Sequence, residues 1–132
     1  FSPVSTWFET AQRANRILLG EAEGKVLVLQ PHVTAGSFRM AEVQVEYNNV
    51  FRLLDGREFD HLLFDFHHME YAGSTIIGPL VTLATTVKRQ QGQVAAFGTS
   101  DYMLEVYQNM ALHHLWKNYS SRAEALASVL AN

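Results

Sequence analysis

Three short apolar runs constrain the fold of this chain more than any other feature. They are VLVL at 26–29, HLLFDF at 61–66 and QVAAFG at 93–98. A continuous apolar run suits a strand that is covered on both faces, whereas a strand with one wet face alternates. Segments with helical spacing of apolar residues separate these runs. The sequence therefore predicts an α/β domain with mostly parallel neighbouring strands and right-handed crossovers.

The first half of the chain adds a hairpin and a helix to this pattern. An apolar stretch before the first run predicts a β-hairpin with its turn near Glu23–Gly24. Helical spacing over 38–56 predicts a helix that stops at Asp55–Gly56, with the glycine in a left-handed cap. The apolar positions of this helix are Met40, Val43, Tyr47, Val50, Phe51 and Leu54.

The second half predicts three more helices and a short strand. The segment 74–92 ends in Lys88, Arg89 and Gly92, which are helix C-terminal signals. Ser100 or Asp101 is expected to cap a helix over 101–110. The apolar positions of that helix are Met103, Leu104, Tyr107 and Met110. A turn and a short strand are expected over 111–119, and the S-R-A-E pattern at 121–124 predicts a capping box before a last helix.

Length and composition bound the class of protein. The chain has 132 residues, of which 48% are hydrophobic, and a formal net charge of −3. These values indicate a single folded domain and argue against an electrostatically driven nucleic-acid binder. The absence of cysteine excludes disulfides and thiolate metal sites. No apolar run approaches the roughly 20 residues of a membrane helix. We therefore expect a cytoplasmic domain over 16–132 and an N-terminal extension over 1–15, which either covers a sheet edge or mediates a homodimer.

The loop EYAGSTIIGP at 70–79 is the richest candidate site, and three chemical interpretations of it fail. Gly73 and Gly78 have P-loop spacing, but Pro79 and Leu80 replace the lysine and hydroxyl that bind phosphate and metal. Ser74 lacks the second glycine of a hydrolase elbow. The six histidines show no metal-ligand spacing, so we expect no metal and no cofactor. A fourth interpretation stays open alongside a simple N-cap: Ser74 and Thr75 begin a helix, where the dipole favours a phosphate.

The segment 62–116 resembles the core of the STAS domain, which occurs in anti-sigma factor antagonists and sulphate transporters. The shared pattern is an apolar strand, a hydroxyl-glycine loop, an apolar helix, a further strand and a helix that ends in a Gly-Leu-like turn. Ala111–Leu112 occupies that last turn here. The resemblance implies a STAS-like single domain with a mixed, mostly parallel sheet of about four to five strands and helices packed mainly on one side.

The resemblance also implies a function. In antagonists the loop reads Asp-Ser-Ser-Gly-Leu-Gly, and an anti-sigma kinase phosphorylates the second hydroxyl, which corresponds to Thr75. This chain differs at Gly73, where the aspartate stands, at Ile76, where the first glycine stands, and at Thr34, where an acidic residue stands. The expected partner-binding residues are Thr34, Tyr71, Ala72, Gly73, Ser74, Thr75, Ile76, Ile77, Gly78, Thr99 and Ser100.

The expected function is therefore that of a non-enzymatic bacterial regulator whose partner is an anti-sigma factor or serine/threonine switch kinase. Thr75, with Ser74 as the second candidate, is the expected phosphoacceptor. Two alternatives stay open. One is an unphosphorylated interaction module in a signalling scaffold or beside a transporter, and the other is a small-ligand or nucleotide sensor that uses the same edge.

Overall fold

The computed structural model describes residues 17–33, 40–69 and 74–131, without the side chains of residues 40, 74 and 75. Five strands and four α-helices alternate along these residues. They are β1 (Leu18–Glu23), β2 (Val26–Pro31), α1 (Met40–Asp55), β3 (His61–Asp65), α2 (Ser74–Arg89), β4 (Val94–Phe97), α3 (Asp101–Asn109), β5 (Lys117–Tyr119) and α4 (Arg122–Leu130). A short 3-10 turn, Leu112–His114, joins α3 to β5. The N-terminal extension expected over 1–15 lies outside the described residues.

The strands form one mixed sheet in the order β1-β2-β3-β4-β5. The hairpin pair β1 and β2 is antiparallel, with Glu23 opposite Val26, and the other three pairs are parallel. The turn between β1 and β2 contains Gly24 at φ 61°, a left-handed conformation that glycine adopts without steric cost. The predicted hairpin and the predicted mostly parallel sheet are both confirmed.

The core has two layers because the central strands are covered on both faces. On one face, Leu27, Leu62 and Phe64 pack with the apolar sides of α1, α2 and α3. On the other face, Val28, Leu63 and Phe97 belong to a smaller cluster with Ala125 and Val129 of α4. The sequence prediction that helices lie mainly on one side is thereby confirmed. The continuous apolar runs are explained by this double covering.

Two predicted helix ends are at the right place but have a different geometry. Gly56 is not left-handed: the residue with positive φ after α1 is Arg57, at 59°. Its N–H donates to the Leu54 carbonyl, and the next N–H, of Glu58, donates to the Leu53 carbonyl, which is the Schellman arrangement. The helix α2 ends in the same way, with Gln91 at φ 68° in the left-handed position.

Gly92 is required for a different reason than helix capping. A Cβ atom at this residue would overlap the carbonyl oxygen of Asp60 and the side chain of Val87. The glycine therefore allows the end of α2 to lie directly against the segment that leads into β3.

Three further expectations are settled by the structure. The helix α2 begins at Ser74, where the hydroxyls were expected to start it, and continues through Pro79. Of the apolar positions expected in the helix over 101–110, Met103 is buried, whereas Met110 is 48% exposed. Ser121 caps α4 by accepting the N–H of Glu124 at 3.2 Å, as predicted. The Glu124 carboxylate accepts hydrogen bonds from the hydroxyls of Ser120 and Ser121.

Candidate functional site

The carboxyl ends of β2, β3 and β4 meet at one edge of the sheet, which we call the carboxyl edge. Beyond β3, the N–H of Phe66 donates to the carbonyl of Phe97 at 3.0 Å, so the segments that leave β3 and β4 stay adjacent. Beyond β2, Val33 forms a parallel bridge with Met69. The segments after all three strands are therefore held together where the sequence places the candidate loop.

The helix α2 starts at this edge with the two candidate hydroxyl residues. Ser74 is its first residue and Thr75 its second, so both lie in the turn whose backbone N–H groups have no partner within the helix. Pro79 has no N–H to donate to the Thr75 carbonyl. Added negative charge at these positions would meet the positive end of the helix dipole.

The next residues of α2 divide into buried and exposed positions. The side chains of Ile76 and Ile77 are 0% and 1% exposed and belong to the core. They fix the first turn of α2 and present no side-chain surface to a partner. Gly78 is exposed, and a Cβ added there would have nothing within 4 Å. Packing within the domain therefore does not require a glycine at this position.

The predicted contact residues after β4 already have structural roles. The hydroxyl of Thr99 donates to the side-chain carbonyl of Asn118, the middle residue of β5, at 2.7 Å. The hydroxyl of Ser100 accepts the N–H of Met103 at 3.1 Å and is the N-cap of α3, as the sequence predicts. Ser100 remains exposed, so this cap lies on the surface of the carboxyl edge.

A buried carboxylate organises the same edge and was missed by sequence reasoning. Asp65, 7% exposed, is the last residue of β3. One of its oxygens accepts the backbone N–H of His67 at 3.1 Å and lies 2.7 Å from Nδ1 of the same histidine. The other oxygen accepts the side-chain amide of Gln30, on β2, at 3.2 Å. The available signal was a lone acidic residue at the end of an apolar run.

His67 is held by this carboxylate and by close packing on the segment after β4. Its side chain is 60% exposed. Gly98 has φ 72°, and a Cβ there would overlap the His67 ring. The same ring meets Phe97 edge-on, with centroids 5.6 Å apart. Asp65 and Gly98 together set the position of the imidazole at the carboxyl edge.

Two further histidines stack on each other where β2 and β3 end. The rings of His32 and His68 are 4.3 Å apart and inclined by 11°. The Nε2 atom of His32 is buried and has no hydrogen-bond partner in the described part of the chain. Burial lowers the pKa of His32, the neighbouring His68 lowers it further, and Asp65 offsets part of the effect. The structure thus favours a neutral His32.

The sequence-predicted site residues divide into two groups. Ser74, Thr75, Ile76, Ile77, Gly78, Thr99 and Ser100 lie in the segments that leave β3 and β4 at the carboxyl edge. Thr34, Tyr71, Ala72 and Gly73 lie outside the described residues. Within residues 17–33, 40–69 and 74–131, no three acidic or histidine side chains are grouped so that they could hold a metal ion. In the same residues, no helix is both long and apolar enough to cross a membrane.

Comparisons with known proteins agree with this architecture. The model of the STAS domain family matches residues 10–125. No curated protein is significantly similar in sequence. Solved structures are similar over most of their length. One is an anti-sigma-factor antagonist (STAS) domain protein from Planctomyces limnophilus, with 26% identity and a TM-score of 0.71 over 86% of this chain and 97% of that chain.

Two more distant structures share the fold. A Thermotoga maritima protein has 15% identity and a TM-score of 0.74, covering 89% of this chain and 97% of its own. The Bacillus cell fate determinant SpoIIAA, in its phosphorylated form, has 14% identity and a TM-score of 0.66, covering 85% of this chain and 98% of its own. With a family model that matches most of its length and a sheet of the same architecture, this chain belongs to the STAS domain family.

Proposed function

We propose that this STAS domain is a non-enzymatic regulatory protein that binds a protein partner, an anti-sigma factor or serine/threonine switch kinase, through the carboxyl edge. Thr75 is the phosphoacceptor in this proposal, and Ser74 is the second candidate. The contact surface consists of Thr34, the residues 71–78, Thr99 and Ser100. Ile76 and Ile77 contribute through their backbone because their side chains are buried.

The observation that carries the proposal is the start of α2 at Ser74. A phosphate on Thr75 would stand beside unpaired N–H groups of the first turn, which stabilise it. It would also add about −1.5 to −2 charges to the docking surface, enough to repel an acidic partner without unfolding the domain. A protein of the same fold, the Bacillus cell fate determinant SpoIIAA, has been solved in a phosphorylated form, which supports phosphorylation as the means of control.

Phosphate mapping tests the control point directly. The chain is incubated with ATP and each anti-sigma-type kinase of its source genome, and modified residues are mapped by mass spectrometry. We expect phosphate on Thr75 in the wild-type chain and its loss in Thr75→Ala. The matched control is Thr82→Ala, an exposed hydroxyl farther along α2. A chain that no kinase modifies at Thr75 or Ser74 contradicts the phosphorylation step.

A binding measurement tests the docking surface separately from the phosphorylation step. Calorimetry with the co-purified partner should show weaker binding for Thr75→Glu, because the added charge lies within the surface. Ser100→Asp keeps an N-cap side chain on α3 but adds a charge beside the proposed contact. Unchanged affinity for both variants would contradict partner binding at the carboxyl edge.

A second candidate is an unphosphorylated STAS module that docks constitutively. Its support is the replacement pattern: Gly73, Ile76 and Thr34 stand where phosphorylated antagonists carry aspartate, glycine and an acidic residue. The Ile76 side chain is completely buried, so this position gives no bare backbone to an approaching kinase. Both candidates expect Thr75→Glu to weaken partner binding. They differ in phosphorylation, because the constitutive module is not modified at Thr75 by any kinase.

A further inference from the structure

A cleft lies at the end of the sheet opposite the carboxyl edge, where α2 ends and where β4 and β5 begin. Its volume is about 340 Å³, within the range of small-molecule sites. Two lysines and two histidines line it: Lys88 in the last turn of α2, His113 and His114 in the 3-10 turn, and Lys117 at the start of β5. We call it the basic cleft. None of the expected partner-binding residues that the structure describes lines it.

In the described part of the chain, the basic cleft has no acidic lining residue. No aspartate or glutamate of that part is among its lining residues, although the whole chain has 13 acidic residues against 10 lysines and arginines and a net charge of −3. The ion pairs of the same residues involve Asp65, Glu21 and Glu23 as acids and neither the two lysines nor the two histidines of the cleft. Concentrated positive charge in a concave site attracts anions.

The local fold fixes the two histidines at the surface of the cleft. Ala111, at φ 53°, turns the chain out of α3, and Leu112 then enters the core at 3% exposure. The N–H groups of Leu115 and Trp116 both donate to the Leu112 carbonyl, which closes the turn. His113 and His114 lie between these buried anchors and are exposed.

Trp116 gives the cleft a rigid wall. Its side chain is 2% exposed and meets the Phe64 ring edge-on, at 5.0 Å between centroids. Its backbone carbonyl accepts the hydroxyl of Tyr107 at 2.5 Å. The cleft is therefore built on core residues, and its shape does not depend on the flexible lysine side chains.

We propose that the basic cleft binds a small phosphorylated anion. Lysine ammonium groups donate hydrogen bonds and accept none, and a phosphoryl group presents acceptor oxygens in several directions. The cleft volume suits a compact phosphorylated molecule and not a polymer. Since the basic cleft and the carboxyl edge lie at opposite ends of the strands, this site is separate from the proposed docking surface.

A titration with inorganic pyrophosphate at constant ionic strength tests the proposal by ¹H–¹⁵N NMR on the full chain. The chain has two tryptophans, so the Trp116 indole signal is identified by its persistence in Trp7→Phe. We expect saturable shifts of Trp116 and of the amides of residues 113–117. Lys117→Gln and Lys88→Gln should each weaken binding by about tenfold, the effect of losing one charge-assisted hydrogen bond.

The matched control is Lys25→Gln, which removes the same charge at the exposed hairpin turn and should leave the affinity unchanged. Thr75→Ala should leave it unchanged as well, so the result does not depend on the proposed function. The proposal is overturned if no saturable shift occurs up to about 10 mM pyrophosphate, which corresponds to negligible affinity. Equal losses in Lys25→Gln, or equal binding of citrate, would also overturn it.

Discussion

The carboxylate of Glu46, on α1, accepts the backbone N–H of Ile17, just before β1, at 2.6 Å. The same oxygen accepts the N–H of Leu18 at 2.8 Å. All three residues are buried, with Glu46 only 7% exposed. A charged side chain in the interior thus joins the first helix to the start of the edge strand.

Replacing Glu46 tests this connection. Glu46→Ala removes the carboxylate that accepts two buried N–H groups and should lower the free energy of unfolding by about 2–4 kcal/mol. Glu46→Gln keeps an oxygen acceptor and should cost about 1 kcal/mol. Urea unfolding measures both, with the exposed Glu105→Ala of α3 as control. A loss in Glu46→Ala no larger than that of the control would contradict the structural role.

Replacing Ala111 with glycine should stabilise the domain. It lies at φ 53°, where a side chain costs roughly 1 kcal/mol that glycine does not. Ala111→Gly should therefore raise the free energy of unfolding by about 1 kcal/mol. The same substitution at Ala127, an exposed position inside α4, should lower it by about 1 kcal/mol. Thermal unfolding of both variants measures the difference, and effects of equal sign would contradict the prediction.

Gly78 should be dispensable for stability but not for docking. Nothing lies within 4 Å of a Cβ at this position, so Gly78→Ala should stabilise α2 by up to about 1 kcal/mol. If a partner backbone packs on this exposed turn, the same variant should bind the partner more weakly. Gly92→Ala, whose Cβ would overlap Asp60, should instead destabilise the domain. Full partner affinity in a stabilised Gly78→Ala would argue against contact at this turn.

The stability of the domain should depend on pH through His32. Its pKa is lowered from the ordinary value of 6.5 by burial and by His68, with partial compensation by Asp65. Below that ordinary value the unfolded chain binds more protons at this residue than the folded chain, so stability falls as the pH falls through the window beneath 6.5.

Urea unfolding between about pH 7.5 and pH 5 measures the slope of the free energy of unfolding against pH. This range covers about one unit or more on either side of the ordinary histidine pKa. In His32→Gln the slope should be smaller, and the loss of stacking should lower stability equally at every pH. The control replaces an exposed side chain that does not titrate: Gln44→Ala should keep the wild-type slope. An unchanged slope in His32→Gln would show that this histidine is not the source.

The order of the elements could be predicted because each depends on a local pattern. Continuous apolar runs indicated the central strands, apolar spacing of three and four indicated α1, and C-terminal signals indicated α2. Ser100 and Ser121 were recognisable as caps because a helix N-cap depends only on the first helical turn that follows it. Helix ends were less accurate: Arg57 and Gln91 take the left-handed positions that glycine would favour, and Gly92 serves packing against Asp60 instead.

The candidate site could be predicted only as a loop after a central strand. Sequence reasoning placed Ser74 and Thr75 at a helix start because the hydroxyls follow an apolar strand and precede an apolar helix. It did not find Asp65, His67 or Gly98, since their relationship joins two different strands. The burial of Ile76 and Ile77 could be known only from the packed structure, because an apolar stretch of sequence does not show which of its side chains face the core.

The amino-acid order thus establishes the alternation of strands and helices, the parallel sheet and the hydroxyls at the start of α2, which are all consequences of local periodicity and propensity. The Gln30–Asp65 hydrogen bond, the His32–His68 stack, the Glu46 connection and the basic cleft arise from residues far apart in sequence. Their positions depend on which strand ends meet and which helix covers them. Only the folded sheet brings those groups together, because contacts between residues distant in sequence depend on tertiary packing and not on local propensity.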